Sequence, residues 1–205
     1  MPSQPRRLTD PRELRAIAHP LRMRILEALM VDGPMTASEL GKRLGESPAN
    51  CSWHLRKLAE HGFVGEAEGG TGRQRPWQAT HRGMTWDEGD GSTESVLADR
   101  TLTRVLVDRE VDRFVRANER RATEAPEWRE ASGASQSMLW LTAEELTEIN
   151  EQVKELLVSR MDRLEDPSLR PEGARLCAFM AWGIPAYPGD DDTTTKNDTT
   201  TTQGE

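Results

Sequence analysis

Eight side chains in the first half of the chain carry the chemistry of hydrogen-bond recognition. Asn50, Ser52, Trp53, His54, Arg56 and Lys57 fall within residues 50–57, and Arg73 and Arg75 follow in the Gly-rich run Glu68-Gly-Gly-Thr-Gly-Arg-Gln-Arg75. An Asn amide offers one donor and one acceptor, which matches the major-groove edge of adenine. Arg donates twice to the guanine acceptors N7 and O6 or grips a phosphate, and Lys suits a phosphate. Arginines at the tip of a ribbon fit the minor groove or its phosphates. Trp53 either packs under that ribbon or touches a sugar or thymine methyl. No Ser/His/Asp or Cys/His set is recognisable, so catalysis is not expected.

Positioning those side chains requires a helix, and the signals for one are strong. Ser47 is a good N-cap and Pro48 suits the first helical position, where its missing N–H has no intrahelical partner to lose. Cys51, Leu55 and Leu58 recur at i, i+4 and i+7 and define a buried face, which turns Asn50, Ser52, Trp53, His54, Arg56 and Lys57 outward. Upstream, Thr36-Ala-Ser-Glu39 is a capping box opening a shorter helix with Leu40 and Leu44 inward, and Gly45 closes it. Downstream, residues 63–67 and 74–80 read as strands flanking the Gly-rich loop. Helix, turn, helix and basic-tipped ribbon make a winged helix-turn-helix, with the second helix placed to enter a major groove.

On these residues the chain resembles the ArsR-like family of winged-helix transcriptional regulators. The matching features are His-Pro-Leu-Arg-Met-Arg-Ile-Leu at 19–26, Thr-Ala-Ser-Glu-Leu at 36–40, Ser-x-His-Leu-x-x-Leu at 52–58, Gly62-Phe-Val and the Gly-rich wing. They cover roughly the first 86 residues. The resemblance implies that Ser52 and His54 touch double-stranded DNA and that two copies act as a homodimer. Metal sensors of that family carry a Cys-x-Cys pair on the helix before the recognition helix. This chain has no such pair, so no metal site is expected.

The net charge of −8 argues against a nucleic-acid partner only if it is evenly spread, and it is not. Residues 1–86 carry 13 Lys/Arg against 9 Asp/Glu, while residues 87–205 carry 14 against 26. The basic surplus coincides with the winged segment. No apolar run approaches the length of a membrane span, and nothing apolar follows the charges of the first seven residues, which predicts a cytoplasmic protein. Two cysteines, Cys51 and Cys177, make neither a disulfide framework nor a metal-ligand spacing. Cys51 reads as a small buried hydrophobe.

Taken in order, residues 1–9 read as polar and frayed, and helices are expected at 10–18 and 20–31, separated by His19-Pro20. The acidic, Gly-rich segment 87–93 reads as a linker. The long helical pattern at 93–122, with Leu97, Leu102, Val105, Leu106 and Phe114 on a broad apolar stripe, needs a partner helix and reads as the dimerisation element. Apolar runs at 137–141 and 174–182 around a helix capped by Thr142 predict a β-α-β unit. Within it Trp128, Met138, Trp140 and Trp182 form either that unit's core or a site for a small apolar effector. The Asp/Thr-rich segment 189–205 reads as disordered.

The expected architecture is mainly α with small β: a winged helix-turn-helix domain at 1–86, a linker and dimerisation helix at 87–125, a C-terminal β-α-β unit at 126–188 and a tail at 189–205. The expected function is a sequence-specific homodimeric regulator, a repressor on a pseudo-palindromic operator, without cofactor and with a small apolar effector as an optional control. The alternative is a winged-helix assembly module that packs against protein without reading DNA.

Overall fold

Each of the first four helices begins where a side chain satisfies its free N–H groups. The Asp10 carboxylate accepts from Arg12 N at the start of α1 (Pro11–Ile17), and His19 Nδ1 accepts from Leu21 N at 3.1 Å at the start of α2 (Pro20–Val31). A capping box of Thr36 and Glu39 opens α3 (Ala37–Leu44), and Ser47 Oγ accepts from Asn50 N at 3.1 Å to open α4 (Pro48–Glu60). Gly45 ends α3 at φ 72°, a left-handed conformation that only a residue without Cβ adopts cheaply.

The computed structural model describes residues 6–68, 75–81, 83–86 and 89–187, which fall into two units, Met1–Ser135 with Arg160–Arg175 and Gln136–Ser159 with Leu176–Glu205. In the first unit Leu14, Ile17, Ile25, Leu29, Leu40, Cys51, Leu55 and Leu58 form one apolar core beneath α4. Gly41 lets α3 and the turn into α4 meet at backbone distance. A Cβ there would stand 2.7 Å from the Glu46 carbonyl oxygen, and Glu46 N donates to Gly41 O at 2.9 Å across the same contact. The chain then forms an antiparallel ribbon of β2 (Val64–Glu66) and β3 (Trp77–Ala79), with Val64 opposite Ala79 and a further bridge from Met35 to Trp77. Within the wing loop between them, residues 69–74 lie outside the described residues.

The expectation of a frayed N-terminus is corrected at residues 6–8. Here β1 (Arg6–Leu8) pairs in parallel with β4 (Met84–Trp86), and Leu8 is fully buried. Arg6 fixes this strand by donating to Glu13 at 2.6 Å and to His61 O at 3.0 Å, with its guanidinium 4.7 Å over the Phe63 ring.

The long helix α5 (Thr93–Arg120) is capped by Ser92, and Asp90 Oδ1 accepts from Ser92 N and Ser95 Oγ. Ser95, Ala98 and Leu102 are buried on α5, which packs against α1. Further along, Glu27 on α2 takes ion pairs from Arg109 at 2.8 Å and Arg113 at 2.7 Å, and Glu110 pairs with the same two arginines. Two short helices, α6 (Pro126–Ala131) and, beyond the second unit's helix, α8 (Asp162–Glu165), complete the unit, with Arg175 bonded to Glu124 at 2.8 Å and lying 4.7 Å over the Trp128 ring.

In the second unit α7 (Ala143–Val158) starts at a capping box of Thr142 and Glu145, and none of its residues is buried. The predicted β-α-β arrangement is corrected here. Neither 137–141 nor 174–182 is strand in the structure, and among the described residues neither has a β-ladder partner. A strand exists only through a neighbour that satisfies its N–H and C=O groups, and an apolar run alone does not supply one. The expected tail at 189–205 lies outside the described residues. Among those described, no helix is long and apolar enough to cross a membrane. Mainly α with small β is thus the observed class.

Candidate nucleic-acid interface

Because α4 is anchored through Cys51, Leu55 and Leu58, its opposite side faces outward, and five of the predicted residues, Asn50, Ser52, Trp53, Arg56 and Lys57, stand there. Trp53 is 50% exposed. Arg56 is exposed and donates to Ser52 Oγ at 3.1 Å, which leaves its charge unneutralised by any carboxylate among the described residues. Lys57, half-buried, pairs with Glu60 at 2.9 Å. Asn50 is half-buried and already engaged, since its amide donates to Glu46 Oε2 at 3.0 Å. An adenine contact by Asn50 therefore competes with Glu46.

His54 does not face outward, and that expectation is corrected. It is 4% exposed, its ring lies 4.6 Å from that of His19 and edge-on to Trp53 at 4.7 Å, and its Nδ1 is buried without a partner. The reason is helical geometry. His54 follows Cys51 by three residues and precedes Leu58 by four, which places it on the apolar stripe despite its polarity. Burial first, then the nearby His19 and Arg22, holds its pKa below the ordinary histidine value, and the ring is neutral at pH 7.

On the ribbon, Arg75 is exposed and pairs with Glu66 at 2.6 Å across β2 and β3, and that bond raises the Arg75 pKa further. Arg73 lies outside the described residues. Beside α4, a cleft open to solvent is lined by Arg12, Arg15, Ala16, Arg22, Lys57 and His61. The sequence reading missed it, although Arg12 and Arg15 stand three apart on one helix and share a face.

The five residues assigned to dimerisation divide into three kinds. Leu102 is fully buried against the chain's own core, so its role as an interface residue is corrected. Val105 and Leu106 are half-buried on that core, while Leu97 and Phe114, at 55% for Phe114, are exposed with Val111 and Val115. The expected effector residues are divided between the two units. Trp128 is held by Arg175 in the first unit, and in the second unit Met138, Trp140 and Trp182 are exposed, Trp140 fully. Side chains this exposed enclose no apolar cavity. Among the described residues no group of three or more His, Cys, Asp or Glu converges as metal ligands.

Residues 17–65 match the family model described as a helix-turn-helix domain. This stretch runs from the end of α1 into the ribbon's first strand and contains all of α2, α3 and α4. The crystal structure of transcriptional regulator Tm0710 from Thermotoga maritima shares 14% sequence identity, over 75% of this chain and 87% of that one, at a TM-score of 0.30. A likeness this low carries no argument about function. Among curated proteins, none matches the chain.

Proposed function

We propose that the protein is a homodimeric, sequence-specific DNA-binding transcriptional regulator of ArsR-like type that represses by occupying a pseudo-palindromic operator. The observation that carries this reading is Arg56, an exposed guanidinium on the outward side of a rigidly seated α4, held by the Ser52 hydroxyl instead of a carboxylate. A hydroxyl orients the fork without neutralising it, and the fork remains available to a guanine edge. Ser52 and Trp53 flank it as further major-groove contacts, Lys57 takes phosphate, Arg73 and Arg75 bring the wing to the minor groove, and Asn50 reads adenine once released from Glu46. His54 acts from beneath, as packing under Trp53. The exposed Leu97, Val111, Phe114 and Val115 on α5 form the two-fold contact, since one winged helix reads too short a site for useful specificity. Effector control is not part of this proposal, because within the second unit Met138, Trp140 and Trp182 are exposed.

The test uses an operator selected from random DNA and the variant Arg56→Ala. Loss of about 1–3 kcal/mol on that operator, with relaxed preference at one base pair, is expected. Equal weakening on operator and random duplex would reduce Arg56 to a phosphate contact and remove base reading by this face.

A further inference from the structure

We propose that the cleft between α1, α2 and the last two turns of α4 is a second DNA contact, which receives a backbone phosphate flanking the groove that α4 enters. This inference rests on the DNA-binding reading and adds α1 and α2, through Arg12, Arg15 and Arg22, to the phosphate contact begun by Lys57.

The key residue is Arg22. Its side chain is half-buried, its terminal nitrogen donates to Arg15 O at 3.2 Å, and its Nε is buried with no partner. Among the described residues no carboxylate pairs with it, and burial, with no acid to offset it, lowers the Arg22 pKa. A guanidinium taken partly out of water without a counter-ion is costly, and an incoming anion relieves that cost. The other cations of the cleft do carry acids: Arg12 holds Asp10 at 3.3 Å, Lys57 holds Glu60 at 2.9 Å, and Arg15 holds Glu94. All three pairs are largely solvent-exposed, and such pairs contribute little net energy, so the cations can turn to a phosphate at small cost. His61 at the end of α4 completes the wall.

Two features favour a polymer phosphate over a small free anion. The cleft is open along its outer side, so a free ion would keep much of its water, whereas a backbone phosphate arrives attached to a duplex held elsewhere. Lys57 also connects the cleft to the recognition face, because it follows Arg56 by one residue, about 100° around the helix.

The experiment measures binding of the full chain to a random duplex over a range of salt concentrations, for wild type, Arg12→Gln and Arg12→Gln/Arg22→Gln, with unfolding curves confirming that each variant is folded. Losing one phosphate contact should reduce the slope of log K against log salt by about one unit and weaken binding about eightfold near 0.1 M salt for the double variant. Arg12→Gln, at an exposed position where folding is not at risk, should move in the same direction by less. Unchanged slopes in both folded variants, with wild type binding normally, would overturn this inference and leave the DNA-binding reading intact. Wild type that binds no duplex would overturn the DNA-binding reading itself and this inference with it. A parallel titration with inorganic phosphate covers the other source. Saturable binding lost in Arg12→Gln/Arg22→Gln, with an unchanged DNA slope, would assign the cleft to a free anion and also overturn the claim.

Discussion

Gly41→Ala tests how tightly the helix-turn-helix holds its recognition helix, because two opposing effects meet at one atom. On helix propensity alone the substitution should stabilise α3 by about 1 kcal/mol. The new Cβ, however, would stand 2.7 Å from Glu46 O and 3.3 Å from Pro48 N, and both are backbone atoms that cannot swing aside. Relief requires the turn to move by about half an ångström, which strains the Glu46 N to Gly41 O hydrogen bond and tilts the start of α4. Overpacking of this kind costs about 1–3 kcal/mol, so after the propensity gain the net expectation is destabilisation of up to about 2 kcal/mol. Gly45→Ala is the control. Its left-handed φ of 72° also makes Ala unfavourable by about 1 kcal/mol, but nothing lies within 4 Å of its Cβ position, so α4 stays in place. Urea unfolding should show similar losses for both variants. Operator affinity measured where both are fully folded should fall only for Gly41→Ala. A Gly41→Ala protein that is more stable than wild type and binds DNA equally well would refute the tight α3–α4 contact.

Three further outcomes are expected. Leu102→Ala should cost about 2–5 kcal/mol in unfolding free energy, because it empties a core position, whereas Phe114→Glu should leave the fold intact and shift sedimentation from dimer to monomer; the reverse pattern would return Leu102 to the interface. Burial lowers the pKa of both His19 and His54. The unfolded chain therefore binds more protons below about pH 6.5, so stability is full above that pH and is lost as pH falls beneath it, by at most ~1.4 kcal/mol per pH unit for each imidazole. Denaturant midpoints for wild type and His54→Leu should diverge across that window, and parallel curves would contradict the assignment. Glu27→Gln should release Arg109 and Arg113 from α2 and raise hydrogen exchange in the second half of α5, with a stability loss on the order of 1 kcal/mol after allowance for partial exposure.

Where sequence reasoning succeeded, the signal was local. Ser47, Thr36 with Glu39, Gly45 and Pro48 each act within a turn of where they stand, and the helix limits follow from them. It failed where a position depends on distant partners. Leu8 is buried because residues 84–86 come back to pair with 6–8, and no pattern within the first nine residues encodes that. The α5 stripe reads as one surface in sequence, but the fold buries Ser95, Ala98 and Leu102 and leaves Phe114 bare. His54 was legible in principle, since its spacing from Cys51 and Leu58 is that of a buried position. Treating every polar residue of the helix as outward concealed it. The apolar runs of the second unit indicated burial, yet among the described residues they have no partner strands to complete a sheet.

The central claim is that α4 reads base sequence as part of a two-fold pair. Selecting bound duplexes from a random pool with the full chain, and sequencing them, tests it most directly. Enrichment of one pseudo-palindrome is expected, with half-sites centred about 10 base pairs or a multiple apart and with loss of preference at matching positions in both halves for Arg56→Ala. Recovery of unenriched sequence at every round, with the protein folded and dimeric, would contradict it.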